Sequence, residues 1–236
     1  MRPRFLAPGV LTGLCLAACA PQARQPDPFT ETGRVIAFGG GDAGARNACF
    51  RCHGFQGEGD GRHTPALAGL QAGYLQKQLQ DYAVQTRPDE VMTPIARQLD
   101  DDDRRAVAAW YASLTPVMAA PARTVESDLG RRIYLAGLPE RGVQACAACH
   151  GVAGAGRGLA NPALAGQPAA YTVQQLQRWK SGERRNDPRD VMGAVSRRLE
   201  DHEIAAVAQW LSARRLARRP DEAAAEASPE ARRPGR

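Results

Sequence analysis

Two short stretches of this chain read Cys-x-x-Cys-His: Cys49, Cys52 and His53, then Cys146, Cys149 and His150. Thiols separated by two residues can reach both vinyl groups of one porphyrin and form thioethers. The adjoining imidazole then comes to lie beneath the iron as its proximal ligand. The two motifs therefore predict two covalently bound haem c groups. A four-cysteine zinc site would have to pair the motifs across the chain and would leave both histidines unexplained. A redox dithiol of the thioredoxin kind needs a βαβ context that the pattern lacks, and a disulfide framework would need the same thiols for itself.

A sixth iron ligand decides what such a haem can do. The chain has four methionines, Met1, Met92, Met118 and Met192. Met92 and Met192 follow their histidines by 39 and 42 positions, and each is followed 18 positions later by a tryptophan. Met118 has no counterpart. Repetition singles out Met92 and Met192 as axial ligands opposite His53 and His150, and a thioether ligand raises the reduction potential. With both axial positions filled, no coordination site is left for a substrate, and outer-sphere electron transfer is the expected chemistry. Pro65 and Pro162 each follow their histidine by 12 positions. Their carbonyls are candidates to accept the hydrogen bond of the second ring nitrogen, a contact that fixes the ring and tunes the iron. Tyr74, Gln78, Tyr171 and Gln175 suit either haem propionates or ordinary packing. Trp110 and Trp210 read as core residues against the haem, and His63 and His202 as surface residues.

The elements around these residues are duplicated. Gly33 and Gly130 precede the first cysteine of each motif by 16 positions, and Pro-Ala-Leu-Ala-Gly occurs at 65–69 and again at 162–166. Each copy reads as helix, haem loop, helix, loop, helix, with no alternating strand pattern, so the fold class is all-α. The final helices are the clearest: Asp100 to Asp103 suit the positive end of a helix dipole, and Val107, Trp110, Tyr111 and Leu114 then recur at helical spacing. Glu200, Asp201 and Glu203 precede Val207, Trp210 and Leu211 in the same way. Shorter helices are expected over 74–82 and 171–179.

The 236 residues exceed one small domain and carry a formal charge of +6. That excess is uneven: 32–116 hold nine basic and ten acidic side chains, 124–213 eleven and nine, and 214–236 seven and four. The domains are near neutral, which gives no reason to expect a nucleic-acid partner. Arg2 and Arg4 precede an apolar run too short for a permanent membrane span. That run ends in Leu16-Ala17-Ala18-Cys19, which resembles a lipobox and makes Cys19 the candidate for lipidation; ordinary cleavage after Ala20 is the rival. The expected organisation is a lipoprotein-type signal over 1–18, a tether over 19–31, domains over 32–115 and 126–213, a linker over 116–125 and a charged tail over 214–236.

With these residues in place, 33–213 resemble the dihaem cytochrome c-4 family, built of two tandem class I cytochrome c domains. The resemblance rests on Cys49-Phe50-Arg51-Cys52-His53-Gly54, Cys146-Ala147-Ala148-Cys149-His150-Gly151, the Pro-Ala-Leu-Ala-Gly segments and the Val-Met pairs. It implies a periplasmic electron carrier, not an enzyme, running between a quinol-oxidising complex and a terminal oxidase or reductase. A lipid anchor would hold it at the membrane. A cytochrome subunit of a periplasmic dehydrogenase or reductase is the alternative, and a dihaem peroxidase or gas sensor a more distant one.

Overall fold

The computed structural model describes residues 28–117, 127–187 and 189–216. Its first half holds α1 (Pro28–Gly39), α2 (Phe50–His53), α3 (Ala72–Ala83), α4 (Met92–Gln98) and α5 (Asp101–Ser113). Its second half repeats the order with α6 (Asp128–Ala136), α7 (Ala147–His150), α8 (Ala169–Ser181), α9 (Val191–Arg198) and α10 (Asp201–Ser212). Among the described residues, β structure is limited to two isolated bridges, Leu138 with Val143 and Arg157 with Asn161.

The final helix of each half is the element on which the others pack. The Asp100 carboxylate accepts the Asp103 N–H at 2.8 Å and starts α5. Glu200 and Glu203 cap α10 reciprocally. Val107 and Tyr111 on α5, and Ile204, Val207 and Leu211 on α10, are buried. α1 crosses α5 and α6 crosses α10, and both crossings need a residue without a side chain. A Cβ on Gly33 would lie 2.0 Å from the Ala106 carbonyl oxygen, and one on Gly130 2.1 Å from that of Ala206. The recurrence of these glycines in the sequence thus marks two places where backbones touch.

α3 packs on α5 with α4 against it, and α8 packs on α10 with α9 against it. The cores are Ile36, Leu70, Leu75, Leu99, Val107 and Tyr111 in one half, and Ile133, Tyr134, Val143, Ile204 and Trp210 in the other. Ala163 of the second half is buried in the core of the first.

Four features differ from the sequence reading. Each methionine lies in the first turn of a short helix, α4 or α9, where a loop leading to the last helix was expected. The cause is local: Asp89 Oδ1 accepts the N–H groups of Val91 and Met92 at 3.0 and 2.9 Å and caps that turn. Helix α1 begins at Pro28, inside the segment read as tether. Leu216, read as tail, packs against the core of the first domain. Trp110 packs beside Gly33 and edges onto Phe38, on the α1 side of α5. The signal, Cys19, residues 19–27, most of the linker with Met118, and 217–236 lie outside the described residues.

Candidate haem sites

Each histidine sits at the end of a one-turn helix that a glycine terminates. Gly54 and Gly151 have φ of +82° and +78°, a conformation open to glycine at little cost, and they turn the chain back beneath the ring. The following loop is stitched to the motif: the Gly59 N–H donates to the His53 carbonyl at 2.8 Å and the Gly156 N–H to that of His150 at 2.9 Å. The loop is then tied to the last helix, since Gly69 N–H donates to Tyr111 O and Gly166 N–H to Leu211 O, both at 2.9 Å.

This framework carries the prolines to the histidines. His53 Nδ1 lies 2.9 Å from the Pro65 carbonyl oxygen, and His150 Nδ1 lies 2.9 Å from that of Pro162. A carbonyl only accepts, so Nδ1 carries the proton in each case and Nε2 keeps its lone pair. Burial, opposed by the proline carbonyl, holds both imidazoles below their ordinary pKa and therefore neutral. The product in each domain is a fixed, neutral nitrogen donor.

Cys49, Cys52, His53, Pro65 and Met92 line one cavity of about 400 Å³ whose walls are mostly apolar. Val107, Ala108 and Tyr111 form its wall on α5, while Trp110 is turned toward α1; the exposed His63 stands at its rim. Burial pushes the Cys49 and Cys146 thiols up to about 11. Neither is poised as a thiolate, as redox dithiols and zinc sites require. The four described cysteines are free of disulfides. In the second domain Cys146, Cys149 and His150 repeat the arrangement at α7, and the half-buried Met192 lies in the first turn of α9 with its N–H held by Asp187 Oδ2 at 2.8 Å. An apolar slot bearing two thiols, a neutral imidazole and a thioether suits a porphyrin iron. His202 is exposed, beside Glu200.

Domain two supplies part of the first cavity's wall through Pro162, Ala163, Leu164, Gln167 and Tyr171. Gln167 accepts the Ala66 N–H at 3.1 Å and donates to the Ala66 carbonyl at 2.8 Å. Asp89, which holds the Met92 turn, pairs with Arg178 at 2.7 Å. Burial disfavours its charge, but the Met92 N–H and Arg178 keep its carboxyl below the usual range. Tyr74, Gln78, Tyr171 and Gln175, which the sequence left between haem and packing, all border this cavity. The sequence reading passed over two arginines, of which Arg87 also borders the cavity. Arg87 and Arg184 are buried at the domain boundary. Each follows its histidine by 34 positions, a recurrence that could have marked them.

The cytochrome c family profile matches residues 41–115 and 127–214. A cytochrome c4 from Thiocapsa roseopersicina is 41% identical over 198 residues, covering 82% of this chain and 95% of the relative. A thiosulfate dehydrogenase electron acceptor from Stutzerimonas stutzeri (strain A1501) is 40% identical over 205 residues, covering 86% and 93%. Among solved structures, reduced cytochrome c4 from Pseudomonas stutzeri superposes with a TM-score of 0.67 at 29% identity, over 78% of this chain and 98% of that one. A thiosulfate dehydrogenase (TsdBA) from Marichromatium purpuratum gives 0.72 at 39% identity; the match takes in 79% of this chain but only 40% of that longer chain. Duplicated motifs, helical domains and these relatives agree: the chain belongs to the cytochrome c family as an electron-transferring dihaem member of the cytochrome c4 type, with two covalently bound haem c groups.

Proposed function

We propose that this cytochrome is an exported, periplasmic electron acceptor for a dehydrogenase of a small sulfur oxyanion such as thiosulfate, and passes the electrons on to a terminal oxidase or reductase. The observation that carries this reading is the pair of relatives whose names tie the same two-domain cytochrome to thiosulfate dehydrogenase, one of them in a single longer chain. That donor stands in place of the quinol-oxidising complex that the family resemblance implied, and it gives substance to the dehydrogenase-subunit alternative. Cys49, Cys52, Cys146 and Cys149 would hold the porphyrins, and His53 with Met92, and His150 with Met192, would ligate the irons. Bound haem supplies a one-electron iron couple, and a histidine–methionine pair sets its potential high.

The protein's own residues do the rest. Pro65 and Pro162 fix the imidazoles through their 2.9 Å contacts. The Asp89 and Asp187 carboxylates hold the backbone of each methionine. The apolar cavity wall excludes water, which limits the reorganisation that accompanies a change of charge. No described helix is long and apolar enough to cross a membrane; retention there would fall to lipid on Cys19, after removal of residues 1–18.

The test is to mix the purified holoprotein with thiosulfate and catalytic amounts of a thiosulfate dehydrogenase, and follow haem absorbance. Rapid reduction dependent on both enzyme and thiosulfate supports the assignment. A cytochrome that stays oxidised there, yet is reduced by a quinol-oxidising complex, returns the donor to the respiratory chain.

A further inference from the structure

The chain has five phenylalanines, and three of them meet on the surface of the first domain. Phe38 lies on α1, Phe50 stands between Cys49 and Cys52 on α2, and Phe55 follows in the loop beyond His53. The ring centres are 5.4 Å apart for Phe38 and Phe50, 4.8 Å for Phe50 and Phe55, and 6.2 Å for Phe38 and Phe55. Phe55 is 68% exposed and Phe38 38%, and Val35, one turn before Phe38 on the same helix face, is 64% exposed. None of the three rings belongs to the core of the first domain. Single apolar side chains on a surface need no explanation, but a contiguous patch marks a contact face.

Charge and chain connection say what covers it. Arg34 stands one turn before Phe38 and Arg51 directly follows Phe50, both exposed. The acid of the adjoining loop, Glu58, folds back to accept the Gln56 N–H at 2.8 Å. Aromatic rings flanked by exposed arginines match the boundary between acyl chains and anionic headgroups, where rings enter the apolar side and guanidiniums meet phosphates. Helix α1 is also the element to which the N-terminal segment connects. Cys19 precedes Pro28 by nine positions, at most roughly 32 Å of chain. Phe38 is only about 15 Å farther along the helix. A lipid on Cys19 therefore keeps this face within reach of the bilayer that holds the lipid. The second copy, which carries no such anchor, lacks the aromatic set: Leu135, Ala147 and Val152 occupy the three positions, and Arg132 stands at that of Val35.

We propose that Val35, Phe38, Phe50 and Phe55 form a membrane-contact face that seats the first domain on an anionic phospholipid surface. A tether alone leaves the cytochrome free to tumble. The contact holds α1 and the Cys49–His53 turn against the headgroups, so the two haems are presented unequally to a partner arriving from the aqueous phase. The proposal takes from the lipidation of Cys19 only the nearness of a bilayer, and the two are measured separately.

The holoprotein beginning at residue 20, exported behind a signal that leaves no lipid, keeps all the residues described above. It is mixed with vesicles of phosphatidylethanolamine and phosphatidylglycerol, and the haem absorbance of the sedimented vesicles gives the bound fraction. Wild type should bind, and Phe38→Ser combined with Phe55→Ser should lower the partition coefficient about tenfold, because affinity follows buried apolar area. Arg34→Gln combined with Arg51→Gln should reduce binding to the level seen on neutral phosphatidylcholine. Should the double serine variant lose haem or melt early, Phe55→Ser alone, at the more exposed ring, carries the test with a loss of about threefold. Wild type that stays in the supernatant, or serine variants that bind as wild type does, overturns the membrane face. So do serine variants that bind vesicles normally but are reduced more slowly by a thiosulfate dehydrogenase, since the patch would then be a seat for that protein. Acylation is read from the mass of the natively exported chain. A chain without acyl groups whose vesicle binding still needs the phenylalanines supports the face and removes the lipid anchor alone.

Discussion

The Gln167 side chain forms a closed ring of two hydrogen bonds with the backbone of Ala66, accepting its N–H at 3.1 Å and donating to its carbonyl at 2.8 Å. Ala66 directly follows the proline whose carbonyl orients His53. One amide of the second domain thus braces the histidine-orienting loop of the first. The duplicated position in the first copy is Leu70, a core residue. Gln167→Leu keeps the volume but leaves two buried backbone groups unpaired, at about 1–3 kcal/mol each. Calorimetry should then show a thermal transition lowered and split toward separate domain melting. A single transition at the wild-type temperature would show that the ring contributes nothing to the interface.

The helix crossings give a second prediction. Gly33→Ala or Gly130→Ala forces a methyl into a backbone carbonyl about 2 Å away. Either substitution should cost about 3 kcal/mol, seen as a lower denaturant midpoint with an unchanged slope. Alanine at the solvent-open Gly39 should leave stability within about 1 kcal/mol of wild type.

Axial ligation is checked by substitution at the two methionines. Met92→His and Met192→His should each lower one midpoint potential strongly, on the order of 0.1 V within the ≈ 0.8 V range that axial ligands span. Loss of the sulfur-to-iron charge-transfer absorption in the oxidised protein should accompany each change. Unaltered potentials and spectra would assign the sixth position to another residue.

Acid stability has a named contributor in the second domain. Burial disfavours ionised Glu203, yet Arg141 and the Glu200 N–H outweigh it and hold the carboxyl below its ordinary value of 4.5. A carboxylate with a folded pKa below its unfolded one adds stability above about pH 4.5, and that contribution disappears as pH falls through the folded value. Glu203→Gln should lower neutral-pH stability by about 1 kcal/mol or less, since Arg141 is partly solvated. It should also flatten the dependence of unfolding on pH below 4.5. Equal acid sensitivity in the variant and the wild type would remove Glu203 from the account.

The chemistry was legible where it is local. Cys49 to His53 and its copy carry their spacing on their face, and the 12-position offset of Pro65 and Pro162 anticipated contacts found at 2.9 Å. Duplication supplied what a single copy could not, singling out Met92 and Met192 as the methionines to propose as iron ligands. The domain boundary was not legible. Gln167 interrupts the duplication, and its partner lies 101 positions away, so no periodicity announces it. Arg87 and Arg184 did recur, but a loop arginine reads as solvated until the fold shows it buried. Helices α4 and α9 were missed because seven or eight residues give too short an apolar pattern to separate from a loop.

Pro162, Ala163, Leu164 and Gln167 wall the first cavity, and this bears on the history of the molecule. A single ancestral unit must once have shielded its porphyrin alone. In the present protein that shielding has been delegated to the twin, so a fragment ending after residue 117 would leave its pigment open to solvent on one flank.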